Sequence, residues 1–173
     1  MNETTNLSTR INKNSYDELI KEAKGKGISL NSLVCSIFRH HITWEKYANE
    51  LGIVPVSKHL IEELLKNCDD KTIKYISNKI GTDIPKELLY LSGNSLSFNS
   101  MMNILEINGA RFGIVKHTIN DNVHTIVLHH SIGENFSKLL AYSHQKLAEE
   151  LDYKLEICQM NKNIVCLNFQ EPK

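Results

Sequence analysis

The chain has 173 residues, 41% hydrophobic and 23% charged, with 20 basic and 20 acidic side chains and a formal net charge of zero. This suits a folded protein of one large or two small domains, and zero net charge argues against general attraction to polyanions. No apolar run reaches the roughly 18 residues of a membrane span, and no apolar leader follows the first residues, so a cytoplasmic protein is expected.

The first predicted element is a strand, Asn6–Ile11, with Leu7, Thr9 and Ile11 on one face and Asn6, Ser8 and Arg10 on the other. A helix is predicted from about Ser15 to Lys24, capped by Asn14 or Ser15, with Tyr16, Leu19, Ile20 and Ala23 as its apolar stripe and Gly25 and Gly27 as its stop. Ser29 caps a second helix whose stripe is Leu30, Leu33, Val34, Ile37, Phe38 and His41. So short a segment does not bury two stripes and a strand face alone; pairing with a second copy would do so. The two strands would then form a ribbon of a size that fits the DNA major groove.

This head, residues 5–42, resembles the ribbon-helix-helix repressors, most specifically in Gly27-Ile28-Ser29-Leu30-Asn31-Ser32, although Asn12-Lys13-Asn14 stands where many members carry a proline. The resemblance implies an intertwined homodimer, and tetramers on adjacent half-sites, binding double-stranded DNA. Asn6, Ser8 and Arg10 would read base edges, and Ser29, Asn31 and Ser32 would hold a phosphate. Residues 1–42 hold six Lys or Arg against four Asp or Glu, a charge of +2 that leaves −2 for the remainder.

Trp44, Tyr47, Ala48 and Leu51 continue a helical spacing to Gly52. Three short helices are predicted over residues 53–93. The first is capped by Ser57 and buries Leu60, Ile61, Leu64 and Leu65. The second starts at Asp69 or Asp70, buries Ile73, Ile76 and Ile80, and stops at Gly81. The third starts around Asp83-Ile84-Pro85 and buries Leu88, Leu89 and Leu91. A helix over Phe98–Glu106, with Phe98, Met101, Met102 and Leu105 inside, closes at Gly109. Strands Phe112–Ile119 and Val123–His130 flank the turn Asn120-Asp121-Asn122. Ser131-Ile132-Gly133-Glu134 reads as a capping box for a helix to about Leu151 that buries Phe136, Leu139, Leu140, Ser143, Leu147 and Leu151. A final hairpin pairs Lys154–Met160 with Ile164–Gln170.

The expected fold class is therefore α+β. A ribbon-helix-helix domain (1–45) precedes a helical connector (46–96) and a four-stranded antiparallel ββαββ regulatory or oligomerisation domain (97–173). That last part is loosely similar, around His129-His130-Ser131-Ile132-Gly133, to uncharacterised archaeal regulators with the same kind of head.

Candidate chemistry is sparse. The three-residue loop Asn161-Lys162-Asn163 sets Leu155 against Phe169, Ile157 against Leu167 and Cys158 directly against Cys166. Opposed Cβ atoms lie about 4.5–5.5 Å apart, so Cys158 and Cys166 form a candidate redox pair whose bridge would be strained. Cys35 and Cys68 complete the four cysteines, which match no C-x-x-C zinc pattern. Of the histidines at 117, 124, 129, 130 and 144, His129 and His130 point to opposite strand faces and cannot share an ion, so no metal site is expected. There is no phosphate loop, G-x-S-x-G elbow or H-E-x-x-H, so neither enzymatic activity nor a cofactor is expected. The expected function is a sequence-specific transcriptional regulator, acting as a repressor, with an unidentified effector or protein partner for the C-terminal domain. The alternative is an antitoxin-like, partner-binding protein that uses the head to dimerise.

Overall fold

The computed structural model describes residues 4–91, 93 and 97–171, without the side chains of Ile80, Ile84 and Leu88. The expected burial of Ile80 and Leu88 therefore lies outside the described residues. The chain divides into two compact units, Met1–Lys46 and Tyr47–Lys173.

In the first unit, α1 (Lys13–Gly25) starts at Asn12, whose side chain accepts the Ser15 amide, and α2 (Leu30–His40) starts at Ser29, which accepts the Ser32 amide. A π-helical turn, His41–Glu45, follows. Ala23, Leu33 and Trp44 are buried, whereas Tyr16, Ile37 and Phe38 stay exposed, so each predicted stripe is only half covered.

The predicted strand Asn6–Ile11 is not formed: residues 4–12 carry no regular structure. A strand exists through ladder bonds to a neighbour, and among the described residues no backbone bond reaches residues 4–11. Leu7 and Ile11 are 71% and 49% exposed, so no burial offsets the entropy of ordering the segment. The period-two pattern rested on these two large apolar side chains and suits an exposed irregular segment equally well. The ribbon-helix-helix fold, with its intertwined dimer, is thus corrected to a helical N-terminal unit.

Helix α3 (Lys46–Glu50) starts at the last residue of the first unit and runs on into the second, where α4 (Lys58–Lys66), capped by Ser57, follows. Next comes α5 (Asp70–Leu91), one helix of 22 residues where two were predicted. Gly81 is not a stop. A Cβ there would lie 2.3 Å from Ser143 Cβ and 2.7 Å from Ser143 Cα, so the glycine marks where α5 presses on α7 (Glu134–Glu150). Pro85 cannot donate to the Gly81 carbonyl, yet the helix runs through it.

Helix α6 (Phe98–Phe112) likewise continues past Gly109, where a Cβ would meet Val115 Cγ2 at 2.7 Å. The Ser131–Glu134 capping box does not form either. The N-cap of α7 is Gly133, at φ 105°, with no side-chain cap bond. That backbone conformation favours glycine.

Strands β1 (Gly113–Asn120), β2 (Val123–His130), β3 (Lys154–Met160) and β4 (Ile164–Gln170) form an antiparallel sheet in the order β1-β2-β4-β3. This gives the strand–strand–helix–strand–strand arrangement of the C-terminal half. Helix α6 packs on β1 and β2, α7 on β3 and β4, and α5 on α7. The core between sheet and helices contains Phe98, Met101, Met102, Leu105, Ile126, Leu147, Val165, Leu167 and Phe169. A second cluster, Leu65, Ile73, Ile132 and Phe136, joins α4, α5 and α7. No helix among the described residues is long and apolar enough to cross a membrane.

Candidate functional site

Three groups of side chains in Tyr47–Lys173 have chemistry worth building up. The first is a relay on the helix-covered face of the sheet. Ile119 pairs with His124, and His117 with Ile126, so His117 and His124 are diagonal neighbours on one face. Glu106 reaches down from α6 to His117 Nδ1, and His117 Nε2 lies 3.0 Å from His124 Nδ1. The partners set the protons: the carboxylate accepts from His117 Nδ1–H, and the second ring N–H, on His124, donates to His117 Nε2. Phe98 packs edge-on against His124 at 4.8 Å. Burial, then the neighbouring His117, hold the His124 pKa below its ordinary value.

The second group is His130, Ser137 and Asn161. His130 Nε2 lies 2.8 Å from Ser137 Oγ, and Ser137 donates to the Asn161 carbonyl at 2.5 Å. The Ile132 amide donates to His130 Nδ1 at 3.3 Å. The imidazole must therefore carry its proton on Nε2 and donate it to serine. A serine nucleophile needs the reverse, a lone pair at that nitrogen. Both side chains are buried, and the cluster ties the end of β2, the start of α7 and the β3–β4 turn together. Burial pushes the His130 pKa down.

The third group lies on the sheet face away from α6 and α7, where half-buried Thr125, Val127, Cys166 and Asn168 alternate with the core residues of β2 and β4. Thr125 donates to Asn168 Oδ1 at 2.7 Å. Leu155 pairs with Phe169 and Ile157 with Leu167, but the partner of Cys166 is Gln159, because the ladder shifts between Ile157 and Gln159. The expected direct opposition of Cys158 and Cys166 is corrected accordingly. Cys158 is the extra residue of a β-bulge, in which two residues face one. Both cysteines are free and are neighbours across this bulge, and the Cys158 thiol donates to the Glu156 carbonyl at 3.7 Å. Burial first, then the neighbouring Cys166 and the charge of Glu156, push the Cys158 thiol up to about 11.

No family model and no curated protein matches this chain. Asn6, Ser8 and Arg10 lie in the exposed irregular segment before α1. Ser29 Oγ is engaged in capping, 3.0 Å from the Ser32 amide and 2.8 Å from Ser32 Oγ, and Asn31 and Ser32 are exposed. The structure does not join the two sets, since the ribbon that would carry the first is absent. The expected repressor function, the double-stranded DNA partner, and the homodimer and tetramer all rested on that ribbon and fall with it, as does the dimerising-head alternative.

Among the described residues, no three His, Cys, Asp or Glu side chains converge to hold a metal ion. The π-helical turn of the first unit brings His40 and His41 to one carboxylate, Glu45, at 3.4 and 3.1 Å, all three exposed. Sequence reasoning missed Glu106, Ser137 and Asn161, whose roles depend on contacts across α6, α7 and the last hairpin. The pairing of His117 with His124 was accessible, because any two-residue turn at Asp121-Asn122 puts them on one face.

Proposed function

We propose that this chain is a non-catalytic protein that responds to the thiol redox state of its surroundings through Cys158 and Cys166. The observation that carries this reading is the placement of two free thiols at neighbouring positions across the β3–β4 bulge, on the sheet face that α6 and α7 leave uncovered. The non-catalytic part is supported by the Ser137–His130 pair, whose proton runs from imidazole to serine to a backbone carbonyl. The reaction is dithiol–disulfide exchange with a small-molecule disulfide. The Cys158–Cys166 bond forms, the reagent's S–S bond breaks, and its two halves leave as thiols carrying the two protons.

Thiolate is the attacking species, and a thiol near 11 is almost wholly protonated at neutral pH. Attack by Cys158 therefore speeds up about tenfold per pH unit through the neutral range. Alkylation followed by mass spectrometry, after exposure to oxidised glutathione at several pH values, tests the reading. A Cys158–Cys166 crosslink that forms faster as pH rises is expected. No crosslink under any condition overturns it.

A further inference from the structure

The bulge at Cys158 also sets what the pair fits. Cys158 and Gln159 both face Cys166, so the strands are out of simple register at this point. A disulfide demands Cβ atoms about 3.5–4.5 Å apart and a fixed dihedral angle. An ion held between two sulfurs tolerates a wider and looser arrangement. Soft thiolate ligands select copper(I). Zinc wants four ligands and calcium six or more, and no third His, Cys, Asp or Glu joins the pair among the described residues. The site is reachable, since Cys158 is exposed and Cys166 partly so. Around it stand Val127, paired with Cys166, and Asn168, paired with Glu156. Neither of these two side chains is charged; Lys116 stands one strand further on, paired with Val127, and Lys154 lies four residues before Cys158 on β3.

We infer that Cys158 and Cys166 form a two-coordinate site for one thiophilic monovalent cation, with copper(I) the natural occupant. This rests on the reading of the pair as the responsive site and names a signal for it. The step balances as two thiols and one Cu⁺ giving a bis-thiolate copper(I) anion and two released protons. Each proton displaced makes the apparent affinity climb tenfold per pH unit while its thiol is protonated.

The test is an anaerobic copper(I) titration of the reduced full chain against a chromogenic copper(I) chelator. It is run on the wild type, on Cys158→Ser, on Cys166→Ser and on the double variant Cys35→Ser/Cys68→Ser, with circular dichroism to verify that each folds. One copper(I) per chain is expected. The apparent affinity should fall at least 100-fold in either sheet variant, stay unchanged in the Cys35/Cys68 variant, and rise with pH. Equal affinity in Cys158→Ser, or loss in the Cys35/Cys68 variant, overturns the site. The alkylation experiment separates the two readings. A disulfide without copper(I) binding sinks the cation site and leaves redox response standing. Copper(I) binding without a disulfide sustains the site and makes the ion, not an oxidant, its signal. Neither result sinks both.

Discussion

Ser137 shows how much one hydroxyl can hold. It is fully buried, accepts from His130 and donates to Asn161, and so answers for two polar groups that water does not reach. Ser137→Ala strands both. Each orphaned group costs about 1–3 kcal/mol, so a loss of about 2–6 kcal/mol is expected, read as a lowered urea midpoint with an unchanged slope. Gly81 works by absence. Alanine in a helix interior ordinarily gains about 1 kcal/mol over glycine, but here its Cβ meets Ser143 Cβ at 2.3 Å and backbone Cα at 2.7 Å. Neither atom is the end of a flexible chain, so overpacking, about 1–3 kcal/mol, wins. Gly81→Ala is expected to destabilise the unit, whereas the same change made where a glycine merely ends a helix would not meet this contact. A stabilised variant would show that α5 and α7 do not approach so closely.

At the level of the elements, what was legible in the sequence was local. Ser29 and Ser57 cap helices because their oxygens can reach amides three residues on. The final hairpin has the register of Leu155 with Phe169 and Ile157 with Leu167 because apolar parity and a three-residue loop leave no other. What was not legible depended on a neighbour. Gly81 and Gly109 look like punctuation until the element pressed against each is known. Gly133 looked like the interior of a capping box, and is the cap itself because Ile132 is buried and the chain must turn after it. Asn6–Ile11 had the alternation of a strand and nothing to pair with. The candidate site divides the same way. The closeness of Cys158 and Cys166 followed from the hairpin, whereas the bulge, which alternation cannot register, changed how they meet. The core element of that hairpin is β4, whose Phe169 is fully buried. Phe169→Ala is expected to cost about 3–5 kcal/mol, against a near-neutral Gln170→Ala at the strand end, both measurable by chemical denaturation.

For the molecule as a whole, the buried histidines set the response to acid. His124, His130 and the part-buried His144 all have pKa values held below the ordinary one by burial. The unfolded chain therefore binds protons that the folded chain refuses. Stability is full above the unfolded value, about 6.5, and is lost as pH falls from there towards each folded value. The slope is up to about 1.4 kcal/mol per pH unit for each such histidine. A probe inside Tyr47–Lys173 must report this, since all three histidines lie there. Hydrogen exchange of β2 and β4 amides does, and protection is expected to decline between about pH 6.5 and 5 before the carboxylates titrate. Flat protection over that range would mean that the rings are already charged when folded. The bulge has a consequence beyond its thiols. β1 and β3 are the outermost strands of an open sheet, and an outermost strand with a straight row of free amides and carbonyls recruits strands from other molecules into fibrous aggregates. The extra residue at Cys158 breaks that row on β3, between the charges of Lys154 and Glu156 on one side and the end of the strand on the other. A shortened chain lacking Cys158 would regain a straight row and lose its barrier to self-recruitment, so solubility and the thiol pair depend on the same inserted residue.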